Sequence, residues 1–164
     1  MAKSLLVRLF GLGKMPEAVL AEIAGETQLL FTEGVRVSLR RRGHVPGSVV
    51  AGRAVNVGWG AFAVTNRRVV GTRSRAKWVD VPWDDDDVSE GPAQLTLDAT
   101  GLHVEFDLAK VHPACDGEMR IDFREQLSDD DLARFPARTK SFRVDPQKVV
   151  RLFGSLKKLP DDQA

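Results

Sequence analysis

The sequence contains no tyrosine and only one cysteine in 164 residues, and it has no long apolar run. Cys115 alone cannot form an intramolecular disulfide, which fits a reducing compartment. A transmembrane helix needs about 18 consecutive apolar residues, so none is predicted. Near the N-terminus, Arg8 interrupts the apolar residues that follow Lys3, which argues against a secretory signal. We therefore expect a cytoplasmic protein, with peripheral contact to the inner face of the membrane as an open alternative.

A catalytic or cofactor signature is also missing. No glycine-rich phosphate loop joins a strand to a helix. His112 and Cys115 have the spacing of two metal ligands, or of a base and a nucleophile, but no second ligand pair or family motif surrounds them. The carboxylates at residues 84–87 lack the spaced pattern of a calcium loop. We expect no cofactor, no metal site and no enzymatic activity; an enzyme that uses His112 and Cys115 is the least favoured alternative.

Acidic residues are absent from one long segment, although the net charge of the whole chain is only +1. Residues 34–77 hold ten basic residues and no acidic one, whereas residues 78–131 hold sixteen acidic and three basic residues. The basic segment supplies the candidate ligand-binding residues, which are Arg36, Arg40, Arg41, Arg42 and Arg53. Guanidinium groups bind phosphate through paired hydrogen bonds, so these residues could hold an anionic headgroup. The alternative, which we favour, is that they pair with acidic residues on neighbouring strands.

Nucleic acid is a disfavoured partner. Proteins that bind single strands stack the bases on exposed aromatic side chains. This chain has no tyrosine, and the alternating pattern places Phe62, Phe106 and Phe123 on the inward side of their strands.

Alternating apolar and polar residues predict a sheet. The clearest hairpin lies at residues 58–71, where Phe62 and Val64 alternate with small residues and Thr65 begins a turn. A later hairpin places Leu102 and Val104 inward and His103 outward. Further strands are predicted near residues 35–40, 49–57, 78–83, 94–97 and 119–124, with a short additional strand at 141–144.

Helical spacing marks both ends of the chain. Residues 1–26 form an N-terminal helical extension in two pieces, and the second piece, which begins at Pro16, is expected to pack outside the sheet. Ser128 caps a short helix at 128–135. The last helix begins at Pro146 and presents an apolar face. That face consists of Val149, Leu152, Phe153, Leu156 and Leu159.

These elements predict one domain at residues 27–160, followed by a disordered tail at 161–164. Its fold class is mainly β (α+β), a bent antiparallel barrel of about seven strands. The C-terminal amphipathic helix is expected to close one end of the barrel.

Two segments resemble the bacterial pleckstrin-homology-like (PH-like) domains. They are GAFAVTNRRVV at residues 60–70 and WVDVPW at residues 78–83, the latter followed by Asp84 and Val88. Domains of that family typically show a small or aromatic strand, a Leu/Val-Thr-Asn/Asp-x-Arg turn, a second strand and an apolar-x-aromatic-Asp segment. The resemblance covers about residues 28–155, and the helices outside the sheet are departures from it. Frequent Arg, Ala, Val, Asp and Gly suggest a bacterial gene of high GC content.

The resemblance implies a seven-stranded bent sheet with a C-terminal helix and a role in interaction or regulation without catalysis. We therefore predict a non-enzymatic binding or regulatory module that holds a protein partner. The alternative is a module that binds an anionic lipid or a phosphate ligand through its arginines.

Overall fold

The computed structural model describes residues 10–48, 52–84, 90–155 and 157–159. These residues form one antiparallel sheet of eight strands, in the order β4-β3-β2-β1-β7-β6-β5-β8. The strands are β1 (Gln28–His44), β2 (Gly52–Thr65), β3 (Arg68–Arg73), β4 (Ala76–Pro82), β5 (Ala93–Asp98), β6 (Gly101–Asp107), β7 (Asp116–Arg124) and β8 (Thr139–Phe142). The helices are α1 (Glu17–Ile23), α2 (Leu108–Val111), α3 (Asp129–Arg134) and α4 (Pro146–Phe153). The sheet curls into a half-barrel, which confirms the mainly β, antiparallel architecture.

The hairpin of β2 and β3 forms as predicted. Phe62 lies opposite Gly71 in the register of the two strands. The Thr65 hydroxyl oxygen accepts hydrogen bonds from the backbone N–H groups of Arg67 (3.1 Å) and Arg68 (2.9 Å). A threonine hydroxyl in this position stabilises a tight turn, which explains why the chain reverses here.

The inner face of the sheet carries the main core. Phe62 and Phe123 are fully buried there, with their ring centroids 6.0 Å apart in an edge-to-face arrangement. Val149, Val150 and Phe153 of α4 belong to the same buried cluster. The C-terminal helix therefore packs on the inner core of the half-barrel, as its apolar face predicted.

Helix α4 is shorter than predicted. Its N-cap, Asp145, accepts a hydrogen bond from the backbone N–H of Gln147. The helix ends after Phe153, because Gly154 adopts a left-handed conformation with φ 105. Leu159, which was predicted on the helix, lies beyond its end but remains buried in the same core.

Helix α1 packs on the outer face of the sheet. Val19 and Ile23 form a second buried cluster with Ala61, Ala63 and Val70 of β2 and β3. The small alanines alternate with the inward-facing Phe62 and leave room for a helix on the outside. The predicted position of this helix is confirmed.

The two edges of the sheet approach each other at one end. Strand β8, the short strand predicted near Ser141, pairs with β5 and forms one edge. The Lys140 ammonium donates a 2.6 Å hydrogen bond to the carbonyl of Trp83, just beyond β4 at the opposite edge. The Trp83 indole in turn donates to the Thr65 carbonyl at 2.9 Å. The sheet has eight strands rather than about seven because β8 adds a strand to the edge beside β5.

Some predicted segments differ or cannot be compared. Residues 112–117 were predicted as one loop, but β7 already begins at Asp116. The one-turn helix α2 lies just before this region and has Asp107 as its N-cap. The predicted first helical piece up to residue 9, the strand residues 49–51 and the acidic residues 85–87 lie outside the described residues.

A glycine substitution tests the packing of the inner face. A Cβ atom at Gly71 would lie 2.7 Å from the ring of Phe123. Overpacking of a filled core costs about 1–3 kcal/mol, so we expect Gly71→Ala to lower the free energy of unfolding by that amount in urea denaturation. Gly25→Ala is the matched control, because a Cβ there meets nothing within 4 Å. Equal stability of the two variants would contradict this packing.

Candidate functional site

The structure separates the five candidate arginines between the two faces of β1 and β2. Side chains alternate along a strand, so Arg41 shares the inner face with Val37 and Leu39, which are buried in the core. Arg36, Arg40 and Arg42 of β1 point to the outer face. Arg53 lies opposite Arg42 in the register of β1 and β2, and it therefore shares that outer face. The five residues do not form one patch.

Arg40 is held by a buried carboxylate. Asp122 of β7 is 1% exposed and accepts hydrogen bonds from Arg40 Nη2 (2.5 Å), Arg120 Nε (2.7 Å) and His103 Nδ1 (2.6 Å). The predicted pairing of basic and acidic strands is thus realised at Arg40. Burial would raise the pKa of Asp122, but the hydrogen bonds from His103, Arg40 and Arg120 outweigh it and hold that pKa well below its usual range.

His103 is part of this cluster, and the sequence pattern missed its role. The side chain lies on the outer face, as predicted, but is only 8% exposed because its neighbours cover it. The hydrogen bond to Asp122 raises its pKa; burial opposes the shift, and the charges of Asp98 and Asp122 reinforce it. The cross-strand register pairs His103 with Asp122, but nothing in a single sequence reveals which strands are neighbours.

Thr100, His103 and Asp122 are connected like a hydroxyl, imidazole and carboxylate triad. The Thr100 hydroxyl lies 2.8 Å from His103 Nε2. A second carboxylate, Asp98, accepts a 2.6 Å hydrogen bond from that hydroxyl and lies 3.2 Å from Nε2. A general base needs the lone pair of a neutral imidazole, and the raised pKa of His103 disfavours that neutral form. We therefore interpret the cluster as structural.

Arg41 is buried at the inner end of β1. It is 9% exposed, and its Nη1 donates a 2.7 Å hydrogen bond to the carbonyl of Phe153, at the C-terminal end of α4. A cation at that end of a helix is favoured by the helix dipole. This hydrogen bond links α4 to β1. The position of Arg41 in a run of three arginines did not predict the contact.

Arg36, Arg42 and Arg53 remain exposed, and they have no ion pair within the described part of the chain. Arg40, Arg41, Arg42 and Arg53 border an open groove of about 1160 Å³. Its lining also includes Lys110 and several acidic residues. These are Glu105, Asp107, Asp116 and Glu118. The groove therefore has charges of both signs, with free guanidinium groups at Arg42 and Arg53.

The first half of β2 forms an open edge of the sheet. Strand β3 pairs with β2 only from Gly60 onward, and the carbonyl of Trp59 accepts a 3.2 Å hydrogen bond from Ser74. Backbone groups of alternate residues face the same side of a strand, so those of Val57, Val55 and Arg53 face this edge. Within the described ranges, no strand pairs with them there.

The same stretch exposes apolar side chains on the outer face. Val55 is 51% exposed, Val57 48% and Trp59 38%. Their cross-strand neighbours on β1 are Arg40, Ser38 and Arg36. An exposed apolar edge strand is a template for pairing with another chain, and most proteins protect such edges.

The remaining sequence candidates, His112 and Cys115, do not border the groove. Both residues are buried. Burial raises the pKa of the Cys115 thiol, which keeps it in the unreactive protonated form. No group of three or more His, Cys, Asp or Glu residues in the described ranges could hold a metal ion.

Comparisons of the chain with family models, with curated proteins and with solved structures find no match. No helix in the described ranges is long and apolar enough to cross a membrane.

The cluster around Asp122 predicts a pH dependence of stability. The pKa of His103 is higher in the folded state than in the unfolded state. The protonated side chain therefore stabilises the fold, and this contribution to the free energy of unfolding is fully present below the unfolded pKa of about 6.5. The contribution is lost as the pH rises through the raised value. We expect the free energy of unfolding in urea to fall as the pH rises above about 6.5, and His103→Gln to remove most of that fall.

His44→Gln is the control for this experiment, because His44 is an exposed histidine at the end of β1. It should keep the pH dependence of the unmodified protein. A pH dependence that survives in His103→Gln would assign the effect to other groups.

Proposed function

We propose that this protein is a non-enzymatic, PH-like binding module that holds a protein partner at the open edge of β2. The observation that carries the proposal is the coincidence of two features of this edge. The backbone groups of Arg53 and the N–H of Val55 face it without a pairing strand in the described ranges, and the side chains of Val55, Val57 and Trp59 are exposed beside it. The resemblance of residues 60–70 and 78–83 to PH-like domains supports the same class of function. The raised pKa of His103 and the buried thiol of Cys115 favour it over catalysis.

An extended peptide segment fits this edge best. Such a segment can add to β2 as a further strand, with main-chain hydrogen bonds for affinity and alternate side chains for specificity. On the outer face its side chains would contact Val55 and Val57. Arg53 and Arg75 are exposed at the two ends of the edge, and neither forms an ion pair with a described residue. The segment that fits therefore alternates apolar and other residues and carries acidic residues near its ends.

A substitution at Val55 tests this mode of binding. Proline removes the N–H group that faces the open edge, whereas the hydrogen bonds to β1 come from the neighbouring residues. We expect Val55→Pro to abolish capture of the partner protein from a bacterial lysate, measured by affinity purification and mass spectrometry. Val55→Thr keeps the backbone donor and the branched shape, so it should capture the same partner as the unmodified protein.

Circular dichroism and the unfolding midpoint must first show that Val55→Pro remains folded. Equal capture by Val55→Pro would refute binding at the edge. Absence of any specific partner with the unmodified protein would count against the whole proposal.

The free arginines of the groove favour a second candidate function, which is binding of anionic lipid headgroups. Arg42 and Arg53 lie opposite each other across β1 and β2 and are both exposed. Lys110 borders the same groove. These three cations form no ion pair with a described residue, so they can contact the phosphates of a membrane surface, at roughly 1 kcal/mol for each residue near it.

Liposome flotation tests the lipid candidate. We expect binding to vesicles that contain phosphatidylglycerol, none to pure phosphatidylcholine, and a decrease with added salt. The double variant Arg42→Ala/Arg53→Ala should lose most of the binding. Arg138→Ala/Arg143→Ala removes the same charge from exposed positions outside the groove and should retain it. Equal losses in both variants would indicate attraction to the overall charge and no site.

A further inference from the structure

Two arginines on the inner side of the half-barrel lack an acidic partner. Arg41 is 9% exposed, and Arg73 at the end of β3 is half-buried. Neither forms an ion pair with any residue in the described ranges, and the Nε atom of each is buried without a hydrogen-bond partner. Buried charges are normally paired, and buried polar atoms are normally hydrogen-bonded. This pair therefore calls for an explanation.

The two guanidinium groups lie beside neighbouring positions of one face of β2. With the Asn56 amide oriented as its hydrogen bonds require, Arg41 Nη2 lies 3.1 Å from the Asn56 side-chain oxygen. A Cβ atom at Gly58 would lie 2.7 Å from Arg73 Nε, so the Arg73 side chain covers Gly58. Residues two apart on a strand are separated by about 6.6 Å on the same face. The two guanidinium groups therefore lie beside adjacent positions of the same face of β2.

Other contacts hold both side chains in place without neutralising them. Arg41 binds the Phe153 carbonyl at 2.7 Å, and the end of α4 contributes about half a negative charge. Arg73 Nη2 donates to the Val57 carbonyl at 3.4 Å, and its guanidinium lies 4.9 Å above the Trp78 ring. Two full positive charges therefore face about half a negative one. Burial and the charge of Arg73 lower the pKa of Arg41, which agrees with mutual repulsion.

Solvent can reach the two guanidinium groups beside Asn56 and Gly58. Asn56 is exposed, and Gly58 is partly exposed. The inner face of β2 carries only small or short side chains beside the two arginines. They are Ala54, Asn56, Gly58 and Gly60, which share one face by alternation. A small anion can therefore approach the guanidinium groups between Asn56 and Gly58.

We propose that Arg41 and Arg73, together with Asn56, form a binding site for a phosphate group at the inner rim of the half-barrel. A tetrahedral phosphate presents oxygens on several sides and can accept from both guanidinium groups at once, whereas a carboxylate satisfies one fork. The Asn56 side-chain oxygen accepts from Arg41 Nη2 and so orients that guanidinium group. This site adjoins the edge of β2, because Asn56 and Arg73 donate hydrogen bonds to the carbonyls of Val55 and Val57. Arg41 also borders the groove that contains the exposed pair Arg42 and Arg53, whereas Arg73 and Asn56 do not line that groove.

Phosphate titrations test the site directly. The probe is inorganic phosphate at constant ionic strength, with sodium chloride as the reference salt and sodium acetate as a carboxylate probe. We expect a saturable rise in Tm with phosphate and a smaller response to acetate, because a ligand that binds only the folded state stabilises it by mass action. Broadening of the phosphorus-31 resonance reports binding without relying on unfolding.

Variants of the two arginine pairs separate this site from general effects of salt. Arg73→Gln should weaken phosphate binding about tenfold or more, because a charge-assisted hydrogen bond is lost. Arg138→Gln/Arg143→Gln removes two exposed cations from positions outside the groove and should leave the titration unchanged. Arg41→Lys is the second test variant, since it keeps the charge near α4 but loses the planar fork, and it should also weaken binding.

Any of three results would overturn the proposal. They are the absence of a saturable phosphate response in the unmodified protein, an unchanged response in a folded Arg73→Gln variant, and loss of the response in the Arg138→Gln/Arg143→Gln variant alone. An equal response to acetate would overturn the assignment to phosphate. Vesicles with phosphatidic acid distinguish a lipid source from a soluble one: flotation that depends on Arg73 indicates a headgroup, whereas a response to free phosphate alone indicates a soluble ligand.

Discussion

The alternation of side chains along β1 is the constraint on which the rest of the structure depends. This strand of 17 residues lies between β2 and β7 and joins the two halves of the sheet. Because successive residues point to opposite faces, Leu39 and Arg41 belong to the inner face, and Arg40 and Arg42 belong to the outer one. A shift of one residue in register would exchange these faces and bury Arg40 in the core.

The consequence is that similar arginines perform different roles. Arg40 helps to neutralise Asp122, and Arg41 holds the end of α4 against β1. Arg42 and Arg53 face solvent without an ion pair among the described residues. The sites that we propose therefore lie where backbone groups or guanidinium groups have no pairing strand or ion pair among the described residues.

The fold was largely predictable because its signals are local. Alternating residues in β1, β6 and β7 and the turn at Thr65 follow from backbone geometry and side-chain size alone. The cap at Asp145 and the glycine at position 154 mark the ends of α4, although the apolar spacing of later residues suggested a longer helix. The extra strand β8 is stabilised by pairing with β5, a contact that no short window of sequence contains.

The sequence by itself determined which segments are strands, that helix α1 packs outside them, and that basic and acidic residues are concentrated in different segments. Only the tertiary structure decided which charges meet. The buried cluster of Asp122, His103 and Arg40 joins β7, β6 and β1, and the unpaired Arg41 and Arg73 come from β1 and β3. Strand order and register set these distances, and they are long-range properties that the composition of a segment does not contain.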